Sequence, residues 1–175
     1  MFTRENRIIV IGLFVVLLLV DQATKSVILI RFAEGQRYEL FPFFSLTLAF
    51  NEGVGLSMFS FLYDWTEGGS QLFFGLLNVL ISVGILYFYR GERPRLPVIG
   101  WTMVVSGALG NAFDRFMTLG TDRTGVVDFI WVYWPGVFNF PVFNVADSAI
   151  TLGFAMVLVN VFFANRPATA VSSAE

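Results

Sequence analysis

FNVADSAITLGFAMVLVNVFF, running from Phe143 to Phe163, is the stretch whose reading decides the fold. Asp147 is its only charged residue, and everything from Ser148 onward is apolar or neutral. A bilayer core about 30 Å thick takes roughly 20 residues of helix. Backbone groups in hydrocarbon must bond within their own segment, so the stretch reads as a transmembrane helix. Asn144 is placed to cap it, with Asp147 at its third position, close to a capping box. Ala149 and Gly153 then form a seam of small residues that lets a neighbouring helix approach.

Working outward, three further apolar runs have the same character: Ile8 to Val20 continuing toward Ile30, Leu72 to Tyr89, and Leu96 to Phe113. The 175 residues are 56% hydrophobic and 14% charged, with mean hydropathy +0.71. A soluble domain of this size could not bury so much apolar surface. The expected class is an all-α membrane protein, a single domain over residues 1–175 with four transmembrane helices near 8–30, 71–89, 96–116 and 143–163. Arg4 and Arg7 before the first run resemble a signal peptide, but Asp21-Gln22-Ala23-Thr24-Lys25 follows instead of an A-x-A site, so the run is expected to stay as an anchor.

Positive charge is dense at Arg4 and Arg7, at Arg90, Arg93 and Arg95, and at Arg166. The positive-inside rule then places both termini in the cytoplasm and the long connections, about 31–70 and 117–142, outside. From Phe44 to Phe50 apolar residues alternate with Ser45, Thr47 and Ala49, the period of a half-buried strand. Asn51 to Gly55 reads as a turn, with Leu56 to Leu62 as a returning partner. Trp131 to Gly136 is an interfacial aromatic cluster. A small β-sheet and an aromatic loop on the outer membrane surface are therefore expected.

The absences narrow the chemistry. Without Cys or His there is no thiolate, no imidazole base and no zinc site of the usual ligands. The net charge of -2 is small and scattered, so no nucleic-acid partner is expected. What remains is carboxylates, hydroxyls, amides, Arg, and the single lysine, Lys25. Ionisable groups at the mouth of a membrane helix are costly, and each raises a question of function. Asp21 and Lys25, four apart, read as a structural ion pair. Asn111, Asp114 and Arg115 share one face of the third helix, and Asp114 next to Arg115 reads as structural. Asp128 and Asp147 fall on the same side of the membrane, at one depth. Two carboxylates brought together in a partly apolar place share a proton, one as base and one as acid. On spacing alone, a small proton-coupled transporter and a Ser-Lys peptidase built on Lys25 stay open as alternatives.

Five segments in order give the chain a resemblance: Asp21 to Lys25, Asn51 to Gly53, Gly110 to Arg115, Val127 to Phe129, and Phe143 to Ile150. Together they resemble the lipoprotein signal peptidases, the type II signal peptidases of bacteria, over nearly the whole chain. Ser106 stands where that family usually has Gly, and the loop Thr118 to Gly125 is longer than usual. The resemblance implies an aspartyl endopeptidase of the bacterial inner membrane that cuts diacylglyceryl-modified prolipoproteins just before the lipidated cysteine. It implies Asp128 and Asp147 as the catalytic pair, with Gly110, Asn111, Arg115 and Asn144 around them and Asp21, Lys25 and Asn51 in support. Its partners would be that precursor and membrane lipids, with no metal or cofactor. In this chemistry water attacks, the ionised aspartate takes its proton, and the protonated one polarises the scissile carbonyl. Asp147 in a helix first turn is expected to be the ionised base, and Asp128 among apolar neighbours the acid.

Overall fold

A computed structural model describes residues 4–53, 69–88 and 95–164 of the chain. Among these residues the elements run α1 (Arg4–Arg31), β1 (Arg37–Phe41), β2 (Phe44–Asn51), α2 (Gly69–Phe88), α3 (Arg95–Thr118), β3 (Val126–Trp134), β4 (Phe138–Asn139) and α4 (Val145–Ala164).

Three of the helices are long and apolar enough to cross a bilayer: Arg7–Arg31, Gly69–Phe88 and Val145–Phe163. At 1.5 Å per residue the 20 residues of α4 reach about 30 Å, one hydrocarbon thickness. Their outward faces are apolar: Ile8, Ile11 and Leu19 on α1, Leu76 and Leu80 on α2, and Leu152 and Phe162 on α4 are all exposed. Such surface is tolerated where lipid, not water, lies against it.

Helix α3 differs because it is central. It packs against α1, α2 and α4, and from Pro97 onward most of it is buried, including Thr102, Ser106, Asn111, Asp114 and Arg115. It has protein around it and needs no uniform apolar face. Pro97 is accommodated in its first turn, where a backbone N–H would have no intrahelical partner. The hydroxyls of Thr102 and Ser106 bond back to the carbonyls of Val98 and Thr102, both at 2.8 Å, so Ser106 fits where Gly was expected from the resemblance. Contact with α4 is backbone-close: a Cβ on Gly100 would lie 2.6 Å from the Gly153 carbonyl, and one on Gly107 would strike the Ala146 carbonyl. Small residues permit that approach, and dispersion between the helices follows from it.

The sheet is antiparallel with order β1-β2-β3-β4. Ile28 of α1, Leu48 of β2 and Val127 and Phe129 of β3 form one buried cluster that seats the sheet on the helices. Each such side chain contributes about 1.5–3 kcal/mol of burial. The described partners of β2 are β1 and β3. The expected returning strand, Leu56 to Leu62, lies outside the described residues. β1 was not expected: all five of its residues are exposed, so no inward-outward period marks it. β3 begins beside Asn51, where Gly125, at φ +80°, brings its backbone against the Asn51 carbonyl and leaves no room for a Cβ.

Candidate active site

Asp128 lies in the first half of β3 and Asp147 in the first turn of α4. A short bridge joins these elements. The N–H groups of Phe129 and Ile130 donate to the Phe143 carbonyl at 3.1 and 2.8 Å, and Phe143 N–H donates to Ile130 at 3.0 Å. The next residue, Asn144, is thereby set beside Asp128.

Asn144 is fully buried and touches both carboxylates. Its side-chain nitrogen donates to Asp128 Oδ1 at 2.7 Å, and its backbone N–H to Asp147 Oδ2 at 3.1 Å. Its side-chain oxygen accepts from Asp147 N–H at 2.8 Å. The last two bonds are the reciprocal pair of a capping box, with Asp where Glu is usual. Asn111 holds the other Asp147 oxygen at 2.8 Å, and Asn51 the other Asp128 oxygen at 2.9 Å.

Below the pair is a buried charge cluster. Lys25 Nζ lies 2.9 Å from Asp21 and 3.0 Å from Asp114, and donates to Asn111 Oδ1 at 3.1 Å. That same Asn111 oxygen accepts from Asn144 at 3.1 Å, so Lys25 reaches both carboxylates through amides. Asp21 also accepts from the N–H of Ala146 at 2.9 Å, satisfying a free donor at the start of α4. Gly110 faces this group: a Cβ there would sit 2.7 Å from Asp21 Oδ2. Asp114 accepts from the N–H of Val127 at 3.1 Å, tying α3 to β3 next to Asp128.

The expected pairing of Asp114 with Arg115 is replaced by two separate sets of contacts. Arg115 donates to the Gly53 carbonyl and, at 2.6 Å, to Gln71 of α2. It bonds neither Asp128 nor Asp147. It grips the turn after Asn51, where Gln71 also donates to the Glu52 carbonyl at 2.9 Å and Thr124 to the Glu52 side chain at 2.7 Å. Gln71 and Gln22 are contributors the sequence reading passed over. Gln22 donates to Asp21 at 3.0 Å, Asp114 at 3.2 Å and the Gly110 carbonyl at 3.3 Å. An amide beside Asp21 in an apolar helix was a signal for Gln22. Gln71, at the start of α2, carried none.

The electrostatics favour one retained proton. Among the described residues, Lys25 lies against Asp21 and Asp114, and the charge of Arg115 acts on Asp114, Asp128 and Asp147, in a place where ions are poorly solvated. Burial, and then the charge of Asp147, push Asp128 up to about 7 against the pull of Asn51, Lys25 and Asn144. A carboxyl that keeps its proton near neutrality, beside one held by amide donors, can do acid–base work.

A sequence model of signal peptidase (SPase) II matches residues 13–163. The chain belongs to the signal peptidase II family. Curated relatives named lipoprotein signal peptidase include that of Pseudomonas putida, 36% identical with 91% of this chain and 90% of the relative covered. That of Photorhabdus laumondii is 37% identical, covering 86% and 85%. A bacterial membrane enzyme solved by the in meso method at 1.9 Å resolution is similar at TM-score 0.71 and 28% identity, covering 88% of this chain and 92% of that one. Membership in the signal peptidase II family makes the chain a protease, and its exposed apolar helices make it a membrane protein. Neither a transporter nor a Ser-Lys peptidase is favoured, and Lys25 directs its contacts to Asp21, Asp114 and Asn111, not to a serine hydroxyl.

Proposed function

We propose that this signal peptidase II family member is an aspartic endopeptidase that removes the signal peptide from diacylglyceryl-modified prolipoproteins, with Asp128 and Asp147 as its catalytic pair. The observation that carries the reading is Asn144, which bonds Asp128 through its side chain and Asp147 through its backbone, so that both carboxylates border one site. In this mechanism Asp147, receiving two N–H donors at a helix N-terminus, stays ionised and takes a proton from water. Asp128 keeps its proton and donates to the scissile carbonyl oxygen as the tetrahedral intermediate forms. The C–N bond then breaks as the proton on Asp147 passes to the leaving amine and one diol hydroxyl returns its proton to Asp128, which regenerates the starting pair.

In the same reading α3 is the fourth transmembrane span, and the Arg-rich ends at Arg4, Arg7 and Arg166 lie in the cytoplasm. Asp128 and Asp147 then stand at the outer face of the bacterial inner membrane. A reporter fused after Arg166 should be cytoplasmic and one inserted near Glu67 external; the reverse pattern contradicts this placement.

The substrate is tested by incubating purified protein with one precursor peptide whose cysteine carries diacylglycerol and one whose cysteine is bare. Each buried methylene of an acyl chain is worth about 0.8 kcal/mol, so the lipidated peptide should be cut far faster. Equal rates on the two would overturn the substrate assignment.

A further inference from the structure

The far end of the sheet carries a charged cluster that the peptidase site does not use. Along β3 side chains alternate between faces, so Trp131 and Tyr133 point away from the face that carries Asp128. Arg37 of β1 lies over both rings, its guanidinium carbon 4.6 Å from the Trp131 centroid and 4.4 Å from that of Tyr133. Its Nε donates to Ser45 at 3.0 Å, and one terminal nitrogen serves the Tyr133 hydroxyl and, at 3.3 Å, Glu39. The other terminal nitrogen, Nη1, has no protein partner among the described residues. The guanidinium is thus fixed in plane with one edge free, and beside it stands a carboxylate. Both side chains remain accessible, at 38% and 55% of their surface.

They open into a shallow cavity of about 550 Å³ floored by the β3–β4 hairpin. Around its rim the tips of the two hairpins expose Phe41, Phe43, Trp134, Val137 and Phe138, with Phe43 stacked on Trp134 at 6.1 Å. Exposed apolar side chains gathered in this way mark an interaction surface. In a protein whose helices cross a bilayer it has an obvious cover, and tryptophan at its edge suits the headgroup level.

We propose that this cup binds the headgroup of a zwitterionic aminophospholipid of the surrounding bilayer, its phosphate on Arg37 and its ammonium on Glu39, with the acyl chains against the aromatic rim. The charge pattern selects this ligand. A phosphate alone would meet Glu39 as a like charge at the same spot, whereas a phosphate with an ammonium two carbons away satisfies both partners. Planar donors suit the phosphate oxygens, and the ammonium also meets the faces of the aromatic rings.

The test uses the full chain in detergent, exchanged with phosphatidylethanolamine or with phosphatidylglycerol of identical acyl chains, and read by native mass spectrometry. Wild type should retain the ethanolamine lipid roughly tenfold better, the size of one charge-assisted hydrogen bond. Glu39→Gln, a change on an exposed edge strand, should abolish that preference, and Arg37→Gln should lower retention of both lipids. Water-soluble phosphoethanolamine at the same concentration should compete poorly, because it lacks the chains that meet the rim. An unchanged headgroup ranking in Glu39→Gln, or equal competition by the soluble compound, overturns the proposal. Neither outcome bears on peptide cleavage, so the site stands or falls separately from the catalytic reading.

Discussion

In Asn144→Ala the amide that donates to Asp128 at 2.7 Å and accepts from Asp147 N–H at 2.8 Å is deleted. Two costs add. Losing the cap acceptor at a helix N-terminus costs about 1 kcal/mol. Losing a donor to a buried carboxyl costs about 1.5–3 kcal/mol. Asn144→Ser separates them, because a serine hydroxyl caps as well as an amide does but cannot reach Asp128. The serine variant should therefore be the more stable by about 1 kcal/mol, or roughly 2–4 °C in Tm for a chain of this size. Both variants should cleave a lipidated precursor about 100-fold more slowly, since Asp128 is no longer held in line with Asp147. The assays are thermal unfolding in detergent and initial cleavage rates on the same preparations. Wild-type cleavage by Asn144→Ser would refute the idea that this amide aligns the pair. Equal Tm values for the two variants would refute the cap.

Three further outcomes follow from the same geometry. Folded Asp128 holds its proton to about pH 7, whereas the unfolded chain releases it near pH 4, so the unfolded state binds fewer protons between those values and stability falls as pH rises. Asp128→Asn removes that slope, and its Tm relative to wild type should rise between pH 5 and pH 8 by the equivalent of about 3 kcal/mol at most; a constant difference would contradict the raised pKa. Lys25→Met leaves Asp21 and Asp114 buried without their 2.9 and 3.0 Å partner, a loss of about 3–5 kcal/mol that should appear as poor yield and early unfolding; normal stability would remove Lys25 from the structural centre. Gly110→Ala pushes a methyl to 2.7 Å from Asp21 Oδ2, an oxygen already fixed by Lys25 and Gln22, and should cost about 1–3 kcal/mol, while Gly12→Ala, with open space around it, should change Tm little.

The helices were legible because a bilayer imposes one requirement on every span, so runs such as Leu72 to Tyr89 announce themselves by length and apolarity alone. The start of α4 was legible for a local reason: Asn144 and Asp147 are three apart, and the capping bonds between them depend on nothing distant. What escaped depends on tertiary partners. β1 has no buried face, so its pairing with β2 leaves no trace in its own residues. Arg115 and Asp114 are neighbours in sequence, yet one turns to Gly53 and Gln71 and the other to Lys25 and Val127, and only the packing of α1, α2 and β3 around α3 decides that. The nearness of Asp128 to Asn144 likewise rests on the Ile130–Phe143 bridge, a long-range pairing with no local signature.

The central claim, that Asp128 and Asp147 share the acid–base work of peptide cleavage, is tested most directly by single-turnover cleavage of a diacylglyceryl-modified precursor. Wild type, Asp128→Asn and Asp147→Asn should be compared at equal folded concentration. Each amide keeps the shape of the carboxyl but cannot exchange a proton, so each variant should lose at least about 100- to 10,000-fold in rate while unfolding cooperatively in detergent. Cleavage within a few-fold of wild type by either variant would contradict the account.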